Sequence, residues 1–278
     1  MCAFERSEKG MDFLMKKYCI IGQDDRSKYI RSMYVTEKVK IVSFEEADYI
    51  IAPIPFTRDC KNITGENITC DELISTLNGK ILFTGAIKPE ITKRLSEYEY
   101  YDLMKFEDVV ISNAVSTAEG AIYEAIKGTK FTINSSNVLI LGYGNIGKAL
   151  ANMLRSFGCN IFCEARKDKD YAIIKSIGYK CVKLDELEEY LPHMDYIFNT
   201  IPAMILDEKR LKLVKNTSLI IDLASTPGGV DFKAASMQNK NVTWALSLPS
   251  KIAPQTSAKK LKEKIDKIIE AHTATPQS

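Results

Sequence analysis

Short apolar runs alternate with amphipathic stretches along most of the chain. Runs of β type lie at residues 17–22, 48–52, 79–83, 137–141, 160–164, 179–183, 195–200, 218–223 and 242–246. Several are apolar at consecutive positions, as strands buried on both faces are. Between them fall stretches with helical spacing, at 71–77, 168–177, 185–191, 207–214 and 231–238, with a further helix-like run ending near Met33. Ser116-Thr-Ala-Glu119 is an S-x-x-E capping box, which predicts a helix opening there and running to Gly128 with Ala118, Ile122, Ala125 and Ile126 as its apolar stripe. The last such stretch, 256–271, is Lys-rich and carries Leu261, Ile265, Ile268 and Ile269 on one side. Strands alternating with helices predict an α/β fold with parallel sheets covered on both faces.

One stretch organises the rest. The run 137–141 enters Gly142-Tyr143-Gly144-Asn145-Ile146-Gly147, and a helical pattern with Ile146, Leu150, Met153, Leu154 and Phe157 on one face leaves it, stopped by Gly158. In a strand–turn–helix setting G-x-G-x-x-G is a dinucleotide motif. Its first glycine makes the tight turn, the second admits a pyrophosphate to the backbone, and the third lets helix and strand pack. The phosphates sit on free N–H groups at the helix N-terminus. About a hundred residues of regular alternation follow, as the six-strand form of this fold requires.

These patterns divide the chain into a lead-in over 1–15 and an N-terminal α/β domain over 16–130 that ends in a linker helix. A Rossmann domain spans 131–250, a C-terminal helix over 251–271 reaches back onto the first domain, and 272–278 form a tail. The expected architecture is therefore two α/β domains, the N-terminal one smaller, with a cleft between them. With 278 residues there is length for two modest cores. A net charge of +2 gives no nucleic-acid footprint or acidic-membrane patch, and no apolar stretch reaches the length of a membrane span. The seven cysteines are scattered without a C-x-x-C, which suits reduced thiols in a cytosol and argues against a zinc or other metal site.

The second strand of the dinucleotide unit sets cofactor preference, because NAD sites place Asp or Glu at its end. Counted from the glycines, that position is Ala165, followed by Arg166 and Lys167. Arg166 can grip a 2′-phosphate in bidentate fashion and Lys167 adds charge, which favours NADP over NAD. Two alternatives stay open: a shift of one residue makes Glu164 the ribose ligand, and the two cations can be a plain solvated turn. Three further segments fall at carboxyl ends of strands, where open α/β sheets bind ligands. Asn199-Thr200-Ile201-Pro202 is expected on the nicotinamide side. Asp222-Leu223-Ala224-Ser225 runs into Pro227-Gly228-Gly229, with Asp231 as either helix cap or ligand, and Leu248 to Thr256 opens the last helix. Asp222 is a candidate proton acceptor. Glu119 is either the capping partner of Ser116 or a substrate contact. Arg26, after the first strand, suits a substrate carboxylate, against the plainer role of a surface ion pair with Asp24. His193 and His272 are the only histidines and neither adjoins a motif, so the His–carboxylate relay of many hydroxyacid dehydrogenases is missing.

In the segments Gly22-Gln-Asp24-Asp-Arg26, Ser112 to Gly120, the glycine motif, Ala165-Arg166, Asn199 to Ile205, Asp222 to Phe232 and Leu248 to Thr256, the sequence resembles the A subunit of bacterial dipicolinate synthase. The resemblance covers about residues 16–265. Glu164 replaces a small residue of the family pattern, and Ser250 replaces a glycine. The resemblance implies a sporulation enzyme of the mother-cell cytosol. Beside the flavoprotein-like B subunit of the synthase, it oxidises a dihydrodipicolinate-type dicarboxylate to pyridine-2,6-dicarboxylate with NADP, in a homo- or hetero-oligomer. Such a substrate has two carboxylates to anchor, for which Arg26, the hydroxyls of Ser116, Thr117, Ser225 and Thr256 and backbone N–H groups are the candidates, and Asp222 or Glu119 is the candidate proton acceptor. Two other readings compete: a different small-carboxylate dehydrogenase, and a subunit that only binds NADP(H) for a flavin partner.

Overall fold

The computed structural model describes residues 15–35 and 39–274; the lead-in, apart from Met15, and the end of the tail lie outside the described residues. The described residues divide into two compact units, one within 15–106 with 261–274, the other of residues 107–260.

In the first unit the elements are β1 (Lys16–Ile20), α1 (Asp25–Tyr34), β2 (Val39–Ile41), β3 (Tyr49–Ile51), α2 (Cys70–Ser75), β4 (Ile81–Thr84), α3 (Pro89–Arg94) and β5 (Glu99–Asp102). The five strands are parallel in the order β2-β1-β3-β4-β5. The strand order turns between β1 and β3, the place where doubly wound sheets open a crevice at their carboxyl ends. Local chemistry sets the helix starts: Asp24 caps α1 through Ser27 N, and Thr69 with Glu72 closes a capping box on α2. The C-terminal helix closes this unit from Leu261 onward. There Asp266 accepts the Tyr34 hydroxyl at 2.8 Å, and Leu261, Ile265 and Ile269 are buried.

The second unit begins with α4 (Glu107–Gly128) and continues through β6 (Asn137–Leu141), α5 (Asn145–Arg155), β7 (Asn160–Glu164), α6 (Asp168–Ser176) and β8 (Lys180–Val182). Then come α7 (Leu187–Tyr190), β9 (Tyr196–Asn199), α8 (Glu208–Leu213), β10 (Leu219–Asp222), α9 (Phe232–Met237), β11 (Asn241–Trp244), α10 (Leu248–Ile252) and α11 (Pro254–Ala274), which crosses into the first unit. The six parallel strands lie in the order β8-β7-β6-β9-β10-β11, the arrangement of a Rossmann sheet. All side chains of β9 and β10 are buried, which explains runs that are apolar without alternation.

Two expectations are corrected. The helix drawn from Ser116 begins nine residues earlier, at Glu107, so Ser116 lies inside it, 3 % exposed, and makes no capping box with Glu119. The small and apolar residues Val109, Ala114, Ala118, Ala121 and Ala125 are buried along its length, so one face continues through the false start. That face packs on the second unit's core: a Cβ on Gly120 would lie 2.9 Å from Leu248, and one on Gly128 2.8 Å from Leu219. The helix therefore belongs to the dinucleotide unit, and the boundary falls at 106–107, not at 130.

Candidate functional site

At the carboxyl end of β6, Gly142 has φ +92°, a left-handed conformation that favours glycine. Both neighbouring strands hold it. Its N–H donates to Glu164 Oε2 at 3.1 Å from the end of β7, and Thr200 Oγ1, just beyond β9, donates to Leu141 O at 2.9 Å. Gly147 is fixed by space, because a Cβ there would lie 2.0 Å from the Gly142 carbonyl oxygen. Gly144 is different. It is the N-terminal boundary residue of α5, its φ is −79°, no side chain caps the helix, and a Cβ added to it meets nothing within 4 Å. An uncapped helix N-terminus with open space before it is a cradle for a pyrophosphate. Behind it, Lys148 pairs with Asp170 at 3.3 Å and lies 5.5 Å from the Tyr143 ring centroid. Burial pushes the Tyr143 phenol up to about 12, so it stays a neutral wall.

At the end of β7, Ala165 is buried, and Tyr171 from α6 donates its hydroxyl to the Ala165 carbonyl at 2.5 Å. Arg166 and Lys167 follow and are exposed. Glu164 is 1 % exposed, and burial pushes its carboxyl above the ordinary range against the opposing effects of the Gly142 N–H and Arg166.

The register of β9 on β10 puts Asn199 beside Asp222. Asp222 is fully buried. Its Oδ1 accepts from Asn199 Nδ2 at 2.8 Å and Ala224 N at 3.1 Å, and its Oδ2 accepts from Gly229 N at 2.8 Å. A Cβ on Gly229 would sit 2.2 Å from Asn199 Nδ2. Asp222 is therefore a clamp that ties Asn199 to the 223–229 turn, and not a carboxylate presented to a substrate; that expectation is corrected. Sequence reasoning missed the clamp, although the two polar ends of adjacent strands were its signal. Leu223 and Ala224 line the turn, and Trp244 donates its indole N–H to Ala224 O at 3.0 Å.

The remaining candidates are dispersed. Thr117 donates its hydroxyl to Asn113 O within its own helix, Glu119 is exposed one residue before the Leu248 contact at Gly120, and Ser225 and Thr256 are exposed. Asp231 caps α9 through Ala234 N. In the first unit, Arg26 lies at that sheet's own switch point. It is 6 % exposed, donates to Ile54 O at 2.8 Å and sits 3.8 Å from Asp24, while burial lowers its pKa. It is not a surface ion pair. Cavities of about 310, 400 and 380 Å³ lie at the opposite, amino ends of the strands, beside residues such as Asn160, Tyr49 and Asn137, away from the glycine turn. Among the described residues no cluster could hold a metal and no helix is long and apolar enough to cross a membrane.

A Rossmann sheet, a glycine cradle free of side-chain capping and a fixed turn at the end of the second strand define a dehydrogenase-like protein with a site for a nicotinamide dinucleotide. The domain family described as D-isomer specific 2-hydroxyacid dehydrogenase, NAD binding domain, matches residues 103–231. The dipicolinate synthase A subunit of Bacillus subtilis is 32 % identical over 242 residues, covering 82 % of this chain and 80 % of its own. The chain belongs to the family of dipicolinate synthase A subunits. The crystal structure of the family member from Bacillus halodurans superposes with a TM-score of 0.82 at 27 % identity, covering 91 % of this chain and 97 % of its own. The one from B. subtilis gives 0.81 at 28 %, covering 94 % and 97 %.

Proposed function

We infer that this chain oxidises a dihydrodipicolinate-type precursor to dipicolinate with NADP, as the dehydrogenase-like subunit of a synthase whose second subunit is flavoprotein-like. The observation that carries the substrate is likeness to the B. subtilis dipicolinate synthase A subunit over 82 % of the chain. The observation that favours NADP is the turn after β7. A small buried Ala165 stands where a ribose-binding acid would, held by Tyr171, with Arg166 and Lys167 exposed beyond it.

When bound, the nicotinamide supplies the hydride acceptor. The chain's own groups do the rest. The Gly144–Gly147 backbone holds the pyrophosphate, and Arg166 with Lys167 takes the 2′-phosphate. Asn199 to Pro202 with Leu223 and Ala224 shape the nicotinamide side, and the Asp222 clamp keeps them in register. Arg26 is the group for a substrate carboxylate. One nitrogen is committed to Ile54 O, and a guanidinium has five N–H donors in all. Ser225 and Thr256 offer exposed hydroxyls for the second carboxylate, whereas Ser116 is buried and the Thr117 hydroxyl is already given to Asn113 O. With Asp222 committed, the proton falls to Glu119, which the absence of a capping box leaves untied. Loss of hydride and proton makes an aromatic ring, so the reaction itself supplies driving force and needs no histidine relay.

The test is NADPH formation from dihydrodipicolinate by the isolated chain, with and without its flavoprotein-like partner. Turnover by the chain alone, faster with NADP than NAD, is expected. Turnover that requires the flavoprotein-like partner and leaves NADP unreduced would make this chain a binding subunit.

A further inference from the structure

Glu164 is the one residue of the cofactor turn whose chemistry the proposed function leaves unused. It ends β7 at 1 % exposure. Oε2 takes the Gly142 N–H, while Oε1 is buried with no hydrogen-bond partner among the described residues. An ionised carboxylate has about four lone-pair positions to satisfy, and here one N–H meets them. A proton on the orphaned oxygen removes the charge that burial penalises.

The groups around it cannot settle that charge. From its own strand end, Arg166 favours the ionised form, and from the glycine turn the Gly142 N–H does the same. From α6 and β8 come the Tyr171 phenol and the Cys181 thiol. Both are pushed up, first by burial and in smaller part by Glu164, so they stay neutral and are no counter-ions. Further out, Asp185 and Glu186 act on Tyr171, and Lys175, Lys183 and Glu186 on Cys181; these are charges of both signs, and none of them acts on Glu164 itself. Among the described residues, Arg166 is thus the single cation acting on Glu164, and it is also the cation meant for the 2′-phosphate.

We propose that Glu164 decides the choice between NADP and NAD by its protonation state. When it is neutral, Arg166 keeps its full charge for a 2′-phosphate and the chain takes NADP. When it is ionised, it offsets Arg166 and repels the phosphate, and the chain turns toward NAD. This rests on the reading of residues 142–167 as the nucleotide site. Binding NADP therefore draws a fraction of a proton onto Glu164, about half at most for a tenfold coupling, and binding NAD draws less. For one extra charge at the edge of the site the expected swing in affinity ratio is about tenfold.

The full chain is titrated with NADPH and with NADH between pH 6 and 9, read by energy transfer from Trp244, the only tryptophan. The NADPH-to-NADH affinity ratio should fall about tenfold relative to Glu164→Gln. That variant keeps a carbonyl for the Gly142 N–H, cannot ionise, and leaves only the phosphate's own titration near pH ~6. Calorimetry of the wild-type chain across the same pH range, in two buffers of different ionisation enthalpy, needs no variant, and should show more proton uptake with NADPH than with NADH on the limb where the affinity ratio falls. Ratios that run parallel in the two proteins, or equal proton uptake, overturn the role of Glu164 alone. Binding of neither nucleotide at any pH overturns the nucleotide-site reading and this one with it.

Discussion

Asp222→Asn separates a clamp from a catalytic base. Asp222 Oδ1 accepts two N–H groups and Oδ2 a third, all in full burial. An asparagine has one oxygen. With that oxygen at the Oδ1 position, the Gly229 N–H faces an NH₂ group; turned over, Asn199 and Ala224 lose their acceptor. A buried donor left unpaired costs about 1–3 kcal/mol, and loss of the charge-assisted character of the remaining bonds brings the total to about 2–4 kcal/mol. At a urea slope of about 2 kcal/mol per molar, the unfolding midpoint of the second unit falls by about 1–2 M. Trp244 is the local reporter, since it donates to Ala224 O and stacks on Phe232 at 4.9 Å. Because the 223–229 turn loosens, NADPH affinity falls as well. An unchanged midpoint and unchanged affinity, with only kcat lost, would refute the clamp and return Asp222 to the substrate.

Four further outcomes follow from the same geometry. Gly147→Ala drives a Cβ to 2.0 Å from the Gly142 oxygen and so lowers both stability and nucleotide binding. Gly144→Ala has room and an ordinary φ, so it keeps the urea midpoint while losing NADPH binding; equal effects of the two would contradict the cradle. Arg166→Ala weakens NADPH about 10–100-fold and NADH little, measured as dissociation constants, and an equal loss for both would remove Arg166 from the 2′-phosphate. The fourth concerns pH and stability. Burial raises the Glu164 pKa, so the folded chain holds that proton more tightly than the unfolded one. Its stabilising contribution is full below the ordinary glutamate range and is lost as pH rises through the folded value. Urea midpoints should fall along that limb in the wild-type chain and stay flatter in Glu164→Gln, and parallel curves would refute it.

Much of the second unit could be read from residues because burial on both faces leaves a local mark. The strands Leu219–Asp222 and Tyr196–Asn199 are buried at every position, and the glycine spacing fixes where β6 ends. The first unit's edge strand Glu99–Asp102 leaves no such mark. Its residues Glu-Tyr-Tyr-Asp are half-exposed or exposed, so nothing in them demands a strand until β4 is beside them. The start of α4 was misread for the opposite reason. Ser116 to Glu119 are four residues of correct local chemistry, but the buried face from Val109 to Ala125 outweighs a cap of about 1 kcal/mol.

The site was less legible because its determinants are pairings between strands. Asn199 and Asp222 are 23 residues apart and meet only through the β9–β10 register. Glu164 and Gly142 meet only through β6 and β7, which align Leu141 with Glu164. The motif glycines are therefore unequal. Gly142 and Gly147 are held by contacts inside the protein, so their identity reports the fold. Gly144 touches nothing within 4 Å where its side chain would be and has an ordinary φ, so neither packing nor backbone strain asks for glycine there. A sequence match to G-x-G-x-x-G counts all three alike. Only the middle one has no reason inside the protein, which is why Gly144→Ala against Gly147→Ala is the discriminating pair.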